Sequence, residues 1–138
     1  MYGTIDVFKP APNKRLQKVD QIKTGFAIDN VSADKNGDLF AAAFPRGLAV
    51  LEAYKDPWNY RAPAAGLRIQ KGKDGSYTFN KAIEDGFGEV LPAATTVVHD
   101  VRTGRLFFSS KSPKGPSAYL PPFTNVRQRC HFAVDKRL

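Results

Sequence analysis

Cysteine is nearly absent from this sequence: Cys130 is alone among 138 residues, beside one tryptophan, one methionine and two histidines. A single cysteine excludes a disulfide within these residues and any cysteine-rich zinc module. There is no His-Glu-x-x-His pair, no Gly-x-Ser-x-Gly and no glycine-rich phosphate loop. That removes the common metalloprotease, serine-hydrolase and nucleotide-binding readings. Gly86-Phe87-Gly88-Glu89 follows no strand that opens a helix, so it reads as a turn. Nor does any apolar run approach the roughly 18 residues of a membrane-spanning helix. The opening stretch meets Lys9, Pro10 and Pro12 too soon to resemble a signal peptide, so localisation is left open.

What is abundant is positive charge, a net +8, with 42% hydrophobic and 25% charged residues. Residues 1–24 carry five Lys/Arg against two acids, residues 25–100 eight against ten, and residues 101–138 eight against one. The excess sits at the two ends. No helix-turn-helix, zinc-finger or RNP pattern accompanies it, so the charge reads as solvated surface rather than as a specific nucleic-acid site. A partner of the polyanion class is the reading left to that charge.

Local pattern is clearest between Gly25 and Phe44. Two short apolar runs, 26–33 and 39–44, flank Asp34-Lys35-Asn36-Gly37. Asn-Gly between such runs is a strong hairpin signal, because both residues tolerate positive φ. Adjacent Asp29 and Asn30 interrupt the alternation expected of a half-buried strand. One of the two is expected to turn inward, toward the side that Ile28 or Val31 helps bury, and an inward carboxylate needs a partner such as a bound cation.

Several pieces in order resemble one family. Asp29-Asn30-Val31-Ser32-Ala33-Asp34, Gly37-Asp38-Leu39-Phe40 and Phe44-Pro45-Arg46-Gly47 are similar to the Asp-Asn-Ile-Ser-x-Asp, Gly-Asp-Leu-Trp and His-Pro-x-Gly signature of the paraoxonase/arylesterase family. Leu67-Arg68-Ile69-Gln70 resembles its Leu-Arg-Ile-Gln strand, and Val90-Leu91 followed by Thr95 its late Val-Leu-x-x-x-Thr segment. The resemblance runs from about Gly3 to Ser110. It implies the C-terminal part of a six-bladed β-propeller, related to the gluconolactonase group, that hydrolyses lactones and aryl esters with a calcium ion in its channel. It also implies that Asp29 and Asn30 supply metal ligands and that Phe44 and Thr95 belong to the substrate-pocket wall. Phe44 departs from the family's histidine at that place, removing a polar group. By the same resemblance Cys130 is a candidate for a disulfide with an N-terminal cysteine that these residues lack; a buried, inert thiol is the alternative.

The expected architecture is an all-β partial β-propeller, about two to three blades of four-stranded antiparallel sheet. A propeller needs at least four blades of about 40–50 residues, so the chain is either a fragment or a portion that a partner chain completes. Residues 1–110 are expected to hold the end of one blade, one full blade and the start of the next. Residues 111–138 are expected to form a basic, proline-containing segment with a closing strand over 127–134. Strands are expected at 4–8, 16–22, 26–33, 39–44, 48–54, 67–70 and 76–80, with a loop over 61–66. A weak repeat supports blades without the resemblance: residues 34–40 return as 100–107, one residue longer. The apolar positions of both copies, Ile28, Val31, Leu39, Phe40, Val97, Leu106 and Phe107, are expected to be mostly buried. Stepping back five residues from Asp34 and Asp100 sets Asp29 against Thr95 and Asn30 against Thr96. The scaffold recurs and the ligand pair does not, which singles out Asp29 and Asn30.

Calcium takes six to eight oxygen ligands, and Asp29 with Asn30 offers at most three. The family's remaining ligands and its histidine pair match no residue here. His99 and His131 are expected at the surface or in loops. The sequence therefore supports a propeller portion of an ester or lactone hydrolase, inactive as this chain, or a non-catalytic remnant that serves as an interaction module.

Overall fold

The computed structural model describes residues 3–110 and, as backbone, residues 129–135. Strands β1 (Thr4–Pro10) and β2 (Leu16–Lys23) form a two-stranded sheet. Strands β3 (Ala27–Ala33), β4 (Leu39–Phe44), β5 (Ala64–Lys71) and β6 (Tyr77–Asp85) form a four-stranded sheet in that order. Strands β7 (Ala94–Asp100), β8 (Arg105–Ser110) and β9 (Arg129–Asp135) form a third. Each strand pairs antiparallel with the next within its sheet. The chain is all-β, one complete four-stranded sheet flanked by two shorter ones, the layout of a partial β-propeller.

Turn chemistry sets these hairpins. At the β3–β4 turn only Gly37 takes positive φ, +83°, and Asn36 does not. Gly37 N–H donates to Asp34 O and Asp34 N–H to Asp38 O, which makes a three-residue loop closed by a left-handed glycine. The Asp34 carboxylate accepts the backbone N–H groups of Asn36 and Asp38 at 2.9 and 3.0 Å. The same device closes β5–β6, where Gly75 has φ +87°. The β7–β8 turn is one residue longer, with Gly104 at φ +70° bonded to Asp100 O.

Two segments depart from expectation. Residues 48–54 are not a strand but part of helix α1 (Gly47–Lys55). Leu, Ala and Glu are good helix formers, and Val50 and Ala53, three apart, are the buried pair while Leu48 is 81% exposed. Residues 64–66, expected in a loop, open β5. Ala64, Ala65 and Gly66 are small enough to sit buried between two sheets, and strand β6 correspondingly reaches Asp85.

The core consists of contacts between sheets. The first sheet places Ile22, with Ile5 and Val7, against Ala41, Ala43, Ala65, Leu67 and Ile69 of the middle sheet. The other face of the middle sheet buries Phe40 and Ala64 against Val97, Leu106 and Phe108 of the last. A third cluster joins Phe44 to Val50, Ala53, Ala62 and Ala93 under the helix. Of the residues expected inside, Phe40, Val97 and Leu106 are buried and Ile28 and Leu39 half-buried. Val31 and Phe107 instead stand 42% and 45% exposed. Phe107 lies on a sheet face that no described sheet covers, and Val31 lies at the β3 edge of a face that the first sheet covers over β4 and β5.

Candidate functional site

The innermost strands of the two larger sheets, β3 and β7, carry every sequence-predicted site residue except Phe44. Along β3 the register passes from Ile28↔Ala43 to Val31↔Ala41, so Asp29 and Asn30 together oppose Ala42. That is a β-bulge, which interrupts alternation and re-aims side chains. It explains the adjacent polar pair, and it corrects the expectation that one of them turns inward: both are exposed. A register shift falls at the equivalent place in β7, between Ala94 and Thr96, around Thr95. The repeat found in the sequence therefore extends to the irregularity in the strand.

Side chains stitch β3 to β7 in a regular step. Asn30 Nδ2 donates to Thr95 O at 3.0 Å and to Thr96 Oγ1 at 3.2 Å. Ser32 Oγ donates to Val97 O at 2.7 Å. His99 Nδ1 lies 2.7 Å from Asp34 Oδ2. The partners advance together, 30 with 95, 32 with 97 and 34 with 99, so the two strands run side by side in the same direction. Both are edge strands of their sheets, and β3 side chains thus satisfy carbonyls at the open edge of β7.

His99 is not a surface or loop residue. Its side chain is 11% exposed, that of Asp34 is fully buried, and the ring lies 4.7 Å from that of Phe40. Burial on its own would raise the Asp34 carboxyl. The bonds from His99 and from the N–H groups of Asn36 and Asp38 outweigh it and hold the pKa below the ordinary carboxylate value. With Asp34 ionised, His99 Nδ1–H is the donor. Nothing in local sequence signals this pair, whose members are 65 residues apart.

Near the bulge, helix α1 brings Tyr54 to Asp29. Burial first, then the Asp29 charge and a hydrogen bond with its carboxylate, push the tyrosine pKa above its ordinary value. Residues 48–54 read as a strand, so sequence reasoning missed Tyr54. No local signal could have found it, since the burial of Val50 and Ala53 that marks the helix is a tertiary contact with Phe44, Ala62 and Ala93. Thr95 is buried, its hydroxyl 3.5 Å from Ser109 O. Phe44 is 5% exposed within the cluster under the helix. Asn30 and Thr95 therefore touch directly, Asp29 adjoins Asn30 and Tyr54, and Phe44 packs into the core behind them.

The donors at the bulge are of the type a hard cation takes, a carboxylate and an amide oxygen, Asn30 Oδ1 remaining once Nδ2 is spent on β7. In number they fall short of the six to eight such an ion requires. Among the described residues no three His, Cys, Asp or Glu side chains form a group that could hold a metal. An open cleft of about 460 Å³ lies elsewhere, between β2 and the β5–β6 turn, lined by Ile22, Lys23, Tyr77 and Phe79 among others. None of Asp29, Asn30, Phe44 or Thr95 lines it, so the bulge rather than the cleft is the better candidate. Among the described residues no helix is long and apolar enough to cross a membrane. The Cys130 and His131 side chains lie outside the described residues, as do 111–128, although β9 backbone pairs with β8. No protein-family model matches the sequence, and no curated protein does.

Proposed function

We propose that this chain is a portion of a calcium-dependent propeller hydrolase acting on esters or lactones, incomplete and non-catalytic by itself, with Asp29 and Asn30 as two of the calcium ligands. The observation that carries the reading is the bulge. It exposes an acidic and an amide side chain side by side on an innermost strand, whereas the equivalent bulge in the next sheet carries Thr95 and Thr96. A structural need shared by both sheets would not account for that difference. Phe44 and Thr95 are assigned to the wall behind the site, and Tyr54 is added as the residue that orients Asp29. The histidine pair of the resembled family has no counterpart in the sequence, which supports the absence of turnover.

A second reading, a non-catalytic interaction module, is favoured by one contact. Asn30 Nδ2 is committed to Thr95 O and Thr96 Oγ1, a packing role that requires no ion.

Calorimetric titration with calcium, beside aryl-ester and lactone assays, separates these outcomes. The expected result is weak calcium binding lost in Asp29→Ala, with no hydrolysis by either protein. Calcium binding unchanged in Asp29→Ala removes Asp29 from the ligand set. Robust turnover abolished by Asp29→Ala means that a complete site is present and the incomplete-portion reading is wrong.

A further inference from the structure

The hairpin turn that holds Asp34 also carries a bond that can rearrange. An asparagine side-chain amide is open to attack by the backbone nitrogen of the residue that follows it, and a side chain on that following residue obstructs the approach. Among the described residues, Asn13, Asn30, Asn59 and Asn80 precede Lys14, Val31, Tyr60 and Lys81. Asn36 instead precedes Gly37, where an added Cβ would meet nothing within 4 Å. The Asn30 amide is held by Thr95 and Thr96 and that of Asn59 by Asp56, while the exposed Asn36 side chain bonds none of the described residues. Its backbone is engaged. Asn36 N–H and Asp38 N–H both donate to Asp34 Oδ1, and Asp34 Oδ2 meets His99 of the last sheet.

We infer that Asn36 is a self-modification site, at which spontaneous loss of the side-chain amide loosens the Asp34–His99 link between the middle and last sheets. Gly37 N bonds to Asn36 Cγ and the Cγ–Nδ2 bond breaks; the proton released by Gly37 N, relayed by water, leaves with Nδ2 as ammonia. Water then opens the succinimide ring at either carbonyl, leaving aspartate or isoaspartate at position 36. No electrons are exchanged. The closed turn restrains the first step, because Gly37 N–H is donated to Asp34 O at 3.1 Å and must be freed before its nitrogen attacks. Opening one such bond slows the reaction about fivefold, the equivalent of about 1 kcal/mol. Aspartate leaves the backbone as it was. Isoaspartate routes the main chain through Cβ and Cγ, lengthening the loop by one carbon, so the N–H groups of positions 36 and 38 lose the spacing that caps Asp34. Either product also sets a new carboxylate beside Asp34 and Asp38, where like charge disfavours the ionised Asp34 that His99 binds.

The full chain is incubated in mildly alkaline buffer, native and in unfolding urea, and its tryptic peptides are followed by mass spectrometry, with electron-transfer fragmentation to tell isoaspartate from aspartate. The peptide of residues 36–46 is expected to gain the mass of an amide converted to a carboxyl, about fivefold or more slowly in the native chain. Over the same period the peptide of residues 24–35, which carries Asn30, is expected to stay unchanged, and Asn36→Ser to show no gain. Converted chains, separated from unconverted ones by ion exchange, are expected to unfold at a urea midpoint lower by about 0.5 M, and Asn36→Asp to lose less. Absence of conversion in the native chain while the unfolded chain converts fully, or equal rates in the two, overturns the proposal. A converted chain as stable as the unconverted one overturns it as well, by separating the chemistry from the Asp34–His99 link.

Discussion

Replacing Phe40 by alanine, and separately replacing Phe107, tests the account of how these sheets are held together, because the two occupy matching places in the repeat. Phe40 is fully buried against Val97, Leu106 and Phe108, and its ring lies 4.7 Å from the His99 ring, tilted by 34°. Its truncation removes a buried aromatic side chain and leaves a cavity between two sheets, a loss of about 3–5 kcal/mol. Phe107 is 45% exposed. It forfeits roughly half of the 1.5–3 kcal/mol that full burial of such a side chain is worth, about 1 kcal/mol, and leaves no enclosed cavity. Small domains are stable by about 5–15 kcal/mol, so Phe40→Ala removes a large share and Phe107→Ala a small one. With a urea slope of about 2 kcal/mol/M, the midpoints are expected to fall by about 2 M and about 0.5 M. Urea unfolding followed by circular dichroism measures both. Equal losses at the two positions would refute the argument, since they would mean that Phe107 is covered within the monomer.

Two further outcomes follow from the geometry. A carboxyl whose folded pKa lies below its unfolded value contributes stability that is complete above the unfolded value and is lost as pH falls through the folded one. Asp34 and Asp85 are both of this kind: burial opposes the shift in each, and hydrogen bonds outweigh it. Stability is therefore expected to hold above the ordinary carboxylate value of 3.8 and to fall below it; the urea midpoint of Asp34→Asn should fall less over that range, and parallel losses would count against the Asp34–His99 account. Glycine substitutions should divide by space rather than by φ alone. Gly37 at φ +83° has nothing within 4 Å of an added Cβ, so Gly37→Ala is expected to cost about 1–2 kcal/mol of backbone strain. At Gly88, φ +67°, the Cβ would lie 2.6 Å from Ala62 O, which already accepts Ala93 N–H, so Gly88→Ala should lower the thermal midpoint further.

Sequence by itself determined the hairpins, because their cause is local. Asp34 through Gly37 carries its own turn chemistry, alternating apolar residues mark the flanking strands, and the recurrence of that pattern at Asp100 announced a second hairpin of the same build. The adjacent Asp29 and Asn30 were visible as a break in alternation. That the break is a bulge opposite Ala42, leaving both side chains exposed, required the register of β4 against β3. Residues 48–54 satisfy strand and helix patterns alike over so short a length, and only the cluster formed by Phe44, Ala62 and Ala93, which buries Val50 and Ala53, decides for the helix and so brings Tyr54 to Asp29. His99 and Asp34 meet because two edge strands lie side by side, a relation that no spacing along the chain encodes. Val31 and Phe107 have the same local pattern as their buried counterparts. Their exposure was decided by which of the described sheets reach them, since burial belongs to a pair of surfaces and a strand's sequence describes only one.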